Sequence, residues 1–576
     1  MKFDVAIIGG GPGGSTTGSL IKKYAPEMSV GIFEREKFPR EHVGESQLPP
    51  IGAVLNEMGC YDKVEAANFP VKIGASYRWG QSEKLWDFEF VPLKQYTPVE
   101  RPRKFDGQVR QLAFQVERAI YDEILLDHAQ ELGCEVFEET KVEKIHREGD
   151  RITHLELEDG TRVEADYYID ASGNSGMLRR AMDVNIQSPS KLQNVAFWDY
   201  WENAEWATKF DGGATRVLVL SIGSGWIWYI PLGPTRTSIG FICPAAYYKE
   251  QTKTPKELYD WALSQEPLIA DLTKNASRHN EVRSTRDWSY VADRLYGENW
   301  FLVGETAGFA DPILAAGLTL THTGARELAY TLIALKQGTH EAKWLCDHYE
   351  QNQIQRVRQH IRFADFWYVG NGIFTDLQEF TREIASDAGL QLNATEAFRW
   401  LGTGGFTHDN LGQVGIGGLD LAGARQVAQI LYDADHPWTI DRLNYYKLNL
   451  DGSEKSTMPT YQNGKIEAVP CFIREGKVLP NAGVFATLID SLKTPCDAPQ
   501  LHDRLQFALS RESSSVAKGL VYDALLQGLE IMVNEKWVKG KYEPLRGKFN
   551  VRSPREGNLI HTNVETNERI GDLKKS

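Results

Sequence analysis

The first fourteen residues constrain the fold more than any other stretch of the chain. Phe3-Asp4-Val5-Ala6-Ile7-Ile8 is short and nearly all apolar, as a buried parallel strand reads. It runs straight into Gly9-Gly10-Gly11-Pro12-Gly13-Gly14, and helical texture follows to Tyr24. Ser29–Phe33 is a second apolar run, closed by Glu34. Strand, glycine loop, helix and strand make the start of a βαβ unit. Gly9, Gly11 and Gly14 have the spacing of a dinucleotide-binding loop, and this context is what gives the spacing meaning. Such glycines let the backbone approach a pyrophosphate at a helix N-terminus. Glu34, about twenty residues on, is placed to accept from ribose hydroxyls.

At 576 residues the chain is long enough for roughly two to four domains. A formal net charge of -14 argues against a nucleic-acid partner, which needs Lys and Arg to neutralise phosphates. Six scattered cysteines without a CxxC pair predict reduced thiols of a cytoplasmic protein and no metal centre. The N-terminus enters a strand at Phe3 without a basic leader, so neither a signal peptide nor a membrane span is expected.

Alternating strands are predicted within 76–104, a helix near 113–132, and hairpin pieces at Val142–Arg147, Arg151–Leu157 and Arg162–Ile169. The stretch 194–243 is β-rich and aromatic. Helical texture dominates 316–400, a Gly-rich loop spans 402–418, and a helix follows at 424–432. Beyond 435, a hairpin over Ile466–Val478 and helices near 483–493 and 514–534 are predicted.

A second motif lies far from the glycine loop. Trp226-Ile227-Trp228-Tyr229-Ile230-Pro231 reads as a buried edge strand ending in proline. It also resembles the W-x-W-x-I-P signature of flavin-dependent halogenases. Other segments extend the resemblance. Tyr168-Ile169-Asp170-Ala171-Ser172-Gly173, Phe301-Leu302-Val303-Gly304-Glu305 and Val43-Gly44-Glu45-Ser46 are similar to motifs of para-hydroxybenzoate hydroxylase-type flavoproteins. Arg286-Asp287-Trp288-Ser289-Tyr290 resembles the chloramphenicol-type branch, and the matches run to about residue 345. The resemblance implies an α/β chain with a para-hydroxybenzoate hydroxylase-type FAD-binding fold, a β-sheet substrate domain and a mostly helical C-terminal region. It implies a halogenase core over 1–345, with its sheet mainly at 76–104 and 186–284. A helical active-site cover over 346–434 and a C-terminal extension over 435–576 complete the expected layout.

The resemblance also implies roles. FAD, arriving reduced from a partner flavin reductase, would be held by Gly9, Gly11, Gly14, Glu34, Arg40, Ser46, Gln115, Arg118, Asp170 and Glu305. Glu305 stands where the family has Asp, one methylene shorter. Asp287 would lie at the flavin's dimethylbenzene edge, even as a covalent anchor. Chloride or bromide would sit on the backbone amides of Ala316 and Gly317. These end Phe309-Ala310-Asp311-Pro312-Ile313-Leu314-Ala315-Ala316-Gly317, which is similar to F-x-x-P-x-x-S-x-G but has Ala315 for the serine. Trp226, Trp228, Ile230 and Pro231 would wall the substrate from the flavin. Lys72, in Phe69-Pro70-Val71-Lys72-Ile73-Gly74, would carry hypohalous acid to the substrate. Leu314 replaces the glutamate of the tryptophan-specific enzymes, which points to a phenolic, pyrrolic or enol-like substrate, free or carrier-bound. Phe363, Phe366, Trp367, Tyr368 and Phe374 are candidates for a pocket wall, although such a stripe at helical spacing is more often core packing, and none is assigned a role. A basic run from Lys536 to Arg555 could dock an acidic carrier.

Two other readings stay open at this level. One is a flavin monooxygenase or reductase on the same fold, consistent with Ala315 and Glu305. The other is a non-catalytic flavoprotein with a C-terminal binding module.

Overall fold

A computed structural model describes residues 1–387, 421–432, 438–511, 515–549 and 560–575. The chain divides into two compact units. The first comprises Met1–Gln391, Asn463–Lys465 and Ile560–Ser576; the second comprises Leu392–Gln462 and Ile466–Leu559. The predicted loop at 402–418 lies outside the described residues.

The first unit opens with β1 (Lys2–Ile8), α1 (Pro12–Tyr24) and β2 (Val30–Phe33). Next come β3 (Val71–Arg78), β4 (Trp86–Glu89) and α2 (Arg118–Glu131). β5 (Arg162–Asp170), β6 (Gln193–Glu202), β7 (Ala214–Ile222), β8 (Gly225–Pro231) and β9 (Arg236–Pro244) follow. The unit continues through β10 (Arg283–Trp288) and β11 (Trp300–Leu302) to the long helices α3 (Gly317–Gln337) and α4 (Ala342–Val369).

Two sheets organise these elements. In the first, β1 lies between β2 and β5, all parallel, and β11 adds a further parallel strand beside β5. β1 is buried over most of its length and β2 throughout, and α1 packs on both, which is why they read as nearly unbroken apolar runs. α1 packs against α2 and α3.

The second sheet has ten strands, with β6, β9, β8, β7, β3 and β4 as consecutive neighbours. One face buries Leu218, Leu220, Ile227, Tyr229, Ile239 and Phe241 under the helices Pro255–Ser264 and Pro267–Thr273. Because side chains alternate across a strand, Trp226, Trp228 and Ile230 take the other face. Trp228 lies flat across Gly240 on the neighbouring strand, where a Cβ would sit 2.1 Å from the indole. Glycine is therefore required opposite this tryptophan. The C-terminal end of α4 carries Phe363, Phe366, Trp367 and Tyr368, all buried. Trp367 and Tyr368 pack on Tyr77, Trp79 and Trp86 at the β3–β4 turn, and Phe363 packs on Phe366 and Trp367 behind them.

The far edge of this sheet comes from a distant part of the chain. Ile560–Thr562 pairs antiparallel with β4, and the following helix, Val564–Leu573, packs on Pro267–Thr273. Arg569 clamps that helix through Asp271 and Glu205. A three-residue strand is too short for its own periodicity to assign, so the sequence reading left it in the C-terminal extension.

The second unit contains the three-stranded sheet Cys496–Asp497, Tyr445–Leu448 and Val538–Lys541. It also contains the meander Glu454–Gln462, Lys465–Arg474 and Lys477–Pro480, and the helices Gly483–Ser491, Ala498–Ala508 and Ser515–Asn534. Leu421–Tyr432 is helical as expected. Among the described residues no helix is long and apolar enough to cross a membrane, and no acid, histidine or cysteine cluster could hold a metal ion. All six cysteines are buried and free.

Candidate active site

The glycine loop is shaped by close backbone approach. Gly9 has φ +106°, and a Cβ on Gly14 would lie 2.0 Å from the Gly9 carbonyl oxygen. Gly11 is different. Its φ is an ordinary -68°, and its Cβ direction meets only the Arg40 Nη2, at 3.2 Å. Gly11 thus keeps a space open at the start of α1 rather than fitting a crowded turn. Glu34 ties this loop to the end of β2: Gly10 N donates to its Oε2 at 2.8 Å and Glu36 N to its Oε1 at 3.0 Å. Two bonds leave lone pairs on both oxygens for a further donor.

Beyond the loop, Arg40 pairs with Asp122, which also takes a two-pronged contact from Arg118 Nε and Nη2, both at 2.8 Å. Arg118 Nη1 donates to the Val43 carbonyl at 2.8 Å and the Gly44 carbonyl at 3.2 Å. The guanidinium therefore spends its donors holding the 43–46 loop and α2, and it acts on Glu305 as a nearby charge. Burial raises the Glu305 carboxyl, and the Arg118 charge opposes that rise. Asp170 is fully buried and accepts from Ser172 N and Oγ and from Arg179 N, so its side chain braces the turn after β5. Asp287 stands in β10 with its backbone opposite Asn194; its side chain lies outside the described residues.

Gln115 and Ser46 face one another across an isolated antiparallel bridge. Among the described residues, both amide atoms of buried Gln115 and the Ser46 hydroxyl lack a protein partner. Buried polar atoms seldom go unpartnered. Three at one bridge, joined to the Gly11 space through Arg40, Asp122, Arg118 and Gly44, match the needs of a polar ligand laid along this path. The residues present therefore fit FAD.

Lys72 sits near the start of β3, only 2 % exposed. A register shift between Thr215 and Arg216 falls at this end of the β3–β7 pair, and such irregularities re-aim side chains. Its amine donates to the Gln47 carbonyl at 2.9 Å and lies 5.5 Å from the centre of the Phe90 ring. No carboxylate pairs with it among the described residues. Burial pulls this amine down from the ordinary lysine value of 10.5 to about 7. Lys72 thus has both neutral and charged forms accessible near neutrality.

Each tryptophan of the motif ends in a polar chain. Trp226 Nε1 donates to the Tyr368 hydroxyl at 2.8 Å, which donates to Asp311 Oδ1 at 3.2 Å. Asn194 Nδ2 lies 3.1 Å from Asp311 Oδ2. Trp228 Nε1 donates to Ser238 Oγ at 3.1 Å. Glu45, in the Val43–Ser46 loop, accepts from Tyr200 at 2.8 Å, and Ser238 also hydrogen-bonds it. Burial pushes both Asp311 and Glu45 up to about 7, against the bonds each accepts. The sequence offers no role for Asp311 or Asn194, and Tyr368 reads there only as a candidate wall residue. An Asp directly before Pro312, the cap signal of a turn, was the one available hint.

Asp311 caps the turn Pro312–Leu314, Ala315 reverses the chain at φ +52°, and Ala316 begins α3. Among the described residues no acceptor meets the Ala316 or Gly317 amide. The basic run of the second unit is largely paired internally: Lys539 with Asp451, Lys541 with Glu543, and Arg546 with Glu543 and Asp497. Its Arg552 and Arg555 lie outside the described residues.

The profile described as tryptophan halogenase matches residues 4–105 and 94–371, which is most of the first unit. The chain belongs to the tryptophan halogenase family. It is accordingly a flavin-dependent halogenase, an FAD-binding oxidoreductase. Within the family it is 29% identical over 384 residues to the 1H-pyrrole-2-carbonyl-[peptidyl-carrier protein] chlorinase of Pseudomonas fluorescens, covering 65% of this chain and 85% of that one. It is 32% identical over 326 residues to the tryptophan 2-halogenase of Chondromyces crocatus, covering 55% of this chain and 58% of that one. Among solved structures, CmlS, a flavin-dependent halogenase, superposes with a TM-score of 0.73 at 23% identity, covering 96% of this chain and 98% of the other; this likeness is one of fold. The myxobacterial chondrochloren halogenase CndH gives 0.59 at 27% identity, covering 69% and 89%.

Proposed function

We propose that this halogenase is the halogenating half of a two-component system. A separate flavin reductase supplies reduced FAD, and Lys72 delivers oxidised chloride or bromide to an electron-rich phenol, pyrrole or enol-like carbon. The observation that carries this reading is the Lys72 amine, buried without an acidic partner among the described residues on the sheet that bears the two tryptophans. When bound, reduced FAD supplies two electrons to dioxygen, one oxygen atom leaving as water and the other converting halide to hypohalous acid. A neutral Lys72 amine reacts with that acid to give N–X and water, and the halogen then passes to the substrate carbon, whose proton is released. A protonated Lys72 instead hydrogen-bonds the acid and orients it. Burial to about 7 keeps both routes available. Leu314 offers no carboxylate to assist substitution on an unactivated ring, which favours substrates activated by their own oxygen or nitrogen. The chlorinase relative is named for a carrier-bound pyrrole, and the same presentation is within the proposed range here.

Incubating the protein with FAD, a generic flavin reductase, NADH and bromide or chloride against a panel of free and carrier-loaded phenols and pyrroles tests this. Products should show the mass and isotope pattern of added halogen. Reduced flavin consumed across the whole panel with oxygenated products only would overturn it.

The Ala316 and Gly317 amides are proposed to hold the halide at the N-terminus of α3. Ala316→Pro or Gly317→Pro deletes one donor, the latter at the first helical position, where proline is well tolerated. Either variant should retain flavin and lose about tenfold or more in apparent halide affinity. Unchanged halide dependence in both would move the site elsewhere.

A further inference from the structure

From Ala310 to Gly317 the chain reads Ala-Asp-Pro-Ile-Leu-Ala-Ala-Gly, and Asp311 alone has a polar side chain. This stretch is not a relaxed one. Ala315 holds a left-handed backbone that non-glycine residues enter at a cost of roughly 1–2 kcal/mol. Something must hold it, and Ala315 has no hydroxyl to do so. The polar contacts to the stretch that come from elsewhere in the fold arrive at its N-terminal end. Ser289 Oγ donates to the Ala310 carbonyl. Asp311 Oδ1 accepts from Ile313 N at 2.9 Å, and Ala315 N closes the turn on the Pro312 carbonyl at 2.9 Å. Tyr368 of α4 and Asn194 of β6 then grip the Asp311 carboxyl from outside, and Trp226 of β8 grips Tyr368. Two separate elements, α4 and β6, thus meet at one buried carboxyl, and β8 reaches it through Tyr368.

We propose that Asp311 is the positioning residue of the halide loop, setting through Tyr368 and Asn194 the conformation that presents the Ala316 and Gly317 amides. The assignment rests on the halide site described under the proposed function. It gives the W-x-W strand a second task besides walling: Trp226 fixes the hydroxyl that fixes the loop. Asp311 touches neither halide nor substrate in this role, so its loss acts on halide affinity ahead of turnover.

The test uses the full-length, flavin-loaded protein and four forms: wild type, Asp311→Ala, Asp311→Asn and Tyr368→Phe. Two quantities are read: the rise in melting temperature with added bromide, and the halide KM against kcat. Wild type should be stabilised by bromide, because a ligand bound only to the folded state raises stability by mass action. Asp311→Ala should lose that rise and gain at least tenfold in halide KM, with flavin content and kcat at saturating halide within about threefold. Asp311→Asn keeps an acceptor for Ile313 N but turns an NH2 toward Asn194, so it should fall between. Tyr368→Phe should raise the halide KM a few-fold. If Asp311→Ala retains flavin and wild-type halide response, the assignment is overturned. If it does not fold, unchanged halide KM in both Asp311→Asn and Tyr368→Phe overturns it equally. A wild type that halogenates with halide dependence while all three variants match it sinks this assignment alone. A wild type with no halide response sinks the proposed function and this assignment together.

Discussion

Lys72→Met should abolish halogenated product, by at least about a hundredfold, while flavin content and the oxygen consumption of reduced flavin stay within twofold. Methionine matches the length and apolar stem of lysine but can neither form N–X nor donate to hypohalous acid, so the oxidant escapes as free hypohalite or peroxide. Stopped-flow flavin spectra paired with product mass spectrometry separate these two halves. Normal product yield from the variant would remove Lys72 from the reaction. The same substitution has a stability signature with a definite sign. The folded protein holds the Lys72 amine near 7, and the unfolded chain returns it to 10.5. Between these values the unfolded state binds the proton more tightly, so stability linked to this group rises as pH climbs through the window, and the full penalty applies below pH 7. At about 1.4 kcal/mol per unit the ceiling is about 5 kcal/mol, lowered by the lost bond to Gln47. Lys72→Met should therefore gain more in melting temperature, relative to wild type, at pH 6 than at pH 10. An equal difference at both would mean that the amine is not buried as described.

Gly11→Val and Gly14→Ala should separate flavin binding from folding. A Cβ on Gly14 lands 2.0 Å from a backbone carbonyl that cannot step aside. The smallest possible side chain there should cost about 3 kcal/mol and lower soluble yield. The Cβ of a side chain at Gly11 meets only the flexible tip of Arg40, and the backbone angle there is ordinary. That variant should fold with little change in melting temperature and purify nearly colourless. Full yellow occupancy of Gly11→Val would show that the open space at Gly11 is not where the cofactor's phosphates lie.

The parts of this molecule that the sequence reveals are those written in neighbouring residues. The glycine loop, its flanking strands and Glu34 lie within thirty-odd residues, and their spacing alone describes the βαβ start. The tryptophan strand was likewise legible as a buried strand, but its proline suggested a sheet edge and it lies inside the sheet, between β7 and β9. What the sequence hid is contact between distant segments. Arg118 was expected on the cofactor, yet its donors go to Asp122 one helical turn on and to two carbonyls some 75 residues back. Asp170 looks like a nucleotide ligand and is bonded within its own turn. Asp311 carries no pattern of its own; its weight comes from Tyr368, 57 residues later, and Asn194, 117 residues earlier. Lys72 shows the mixed case. Resemblance found the position, whereas its burial against the Gln47 carbonyl and the Phe90 ring emerges only from the fold.

The strand Ile560–Thr562 gives the whole chain an order of assembly. Asn563 bonds Asp87 across 476 residues of sequence. The edge at β4 therefore stays open while the entire second unit is being synthesised, and an open strand edge is a site for pairing with the wrong partner. The second unit is spliced into the halogenase rather than hung from its end: chain leaves the first unit ahead of it and must come home after it. Shortening the protein from its C-terminal side thus does not trim an appendage. It withdraws the last stave of the sheet whose inner strands carry Lys72 and the two tryptophans.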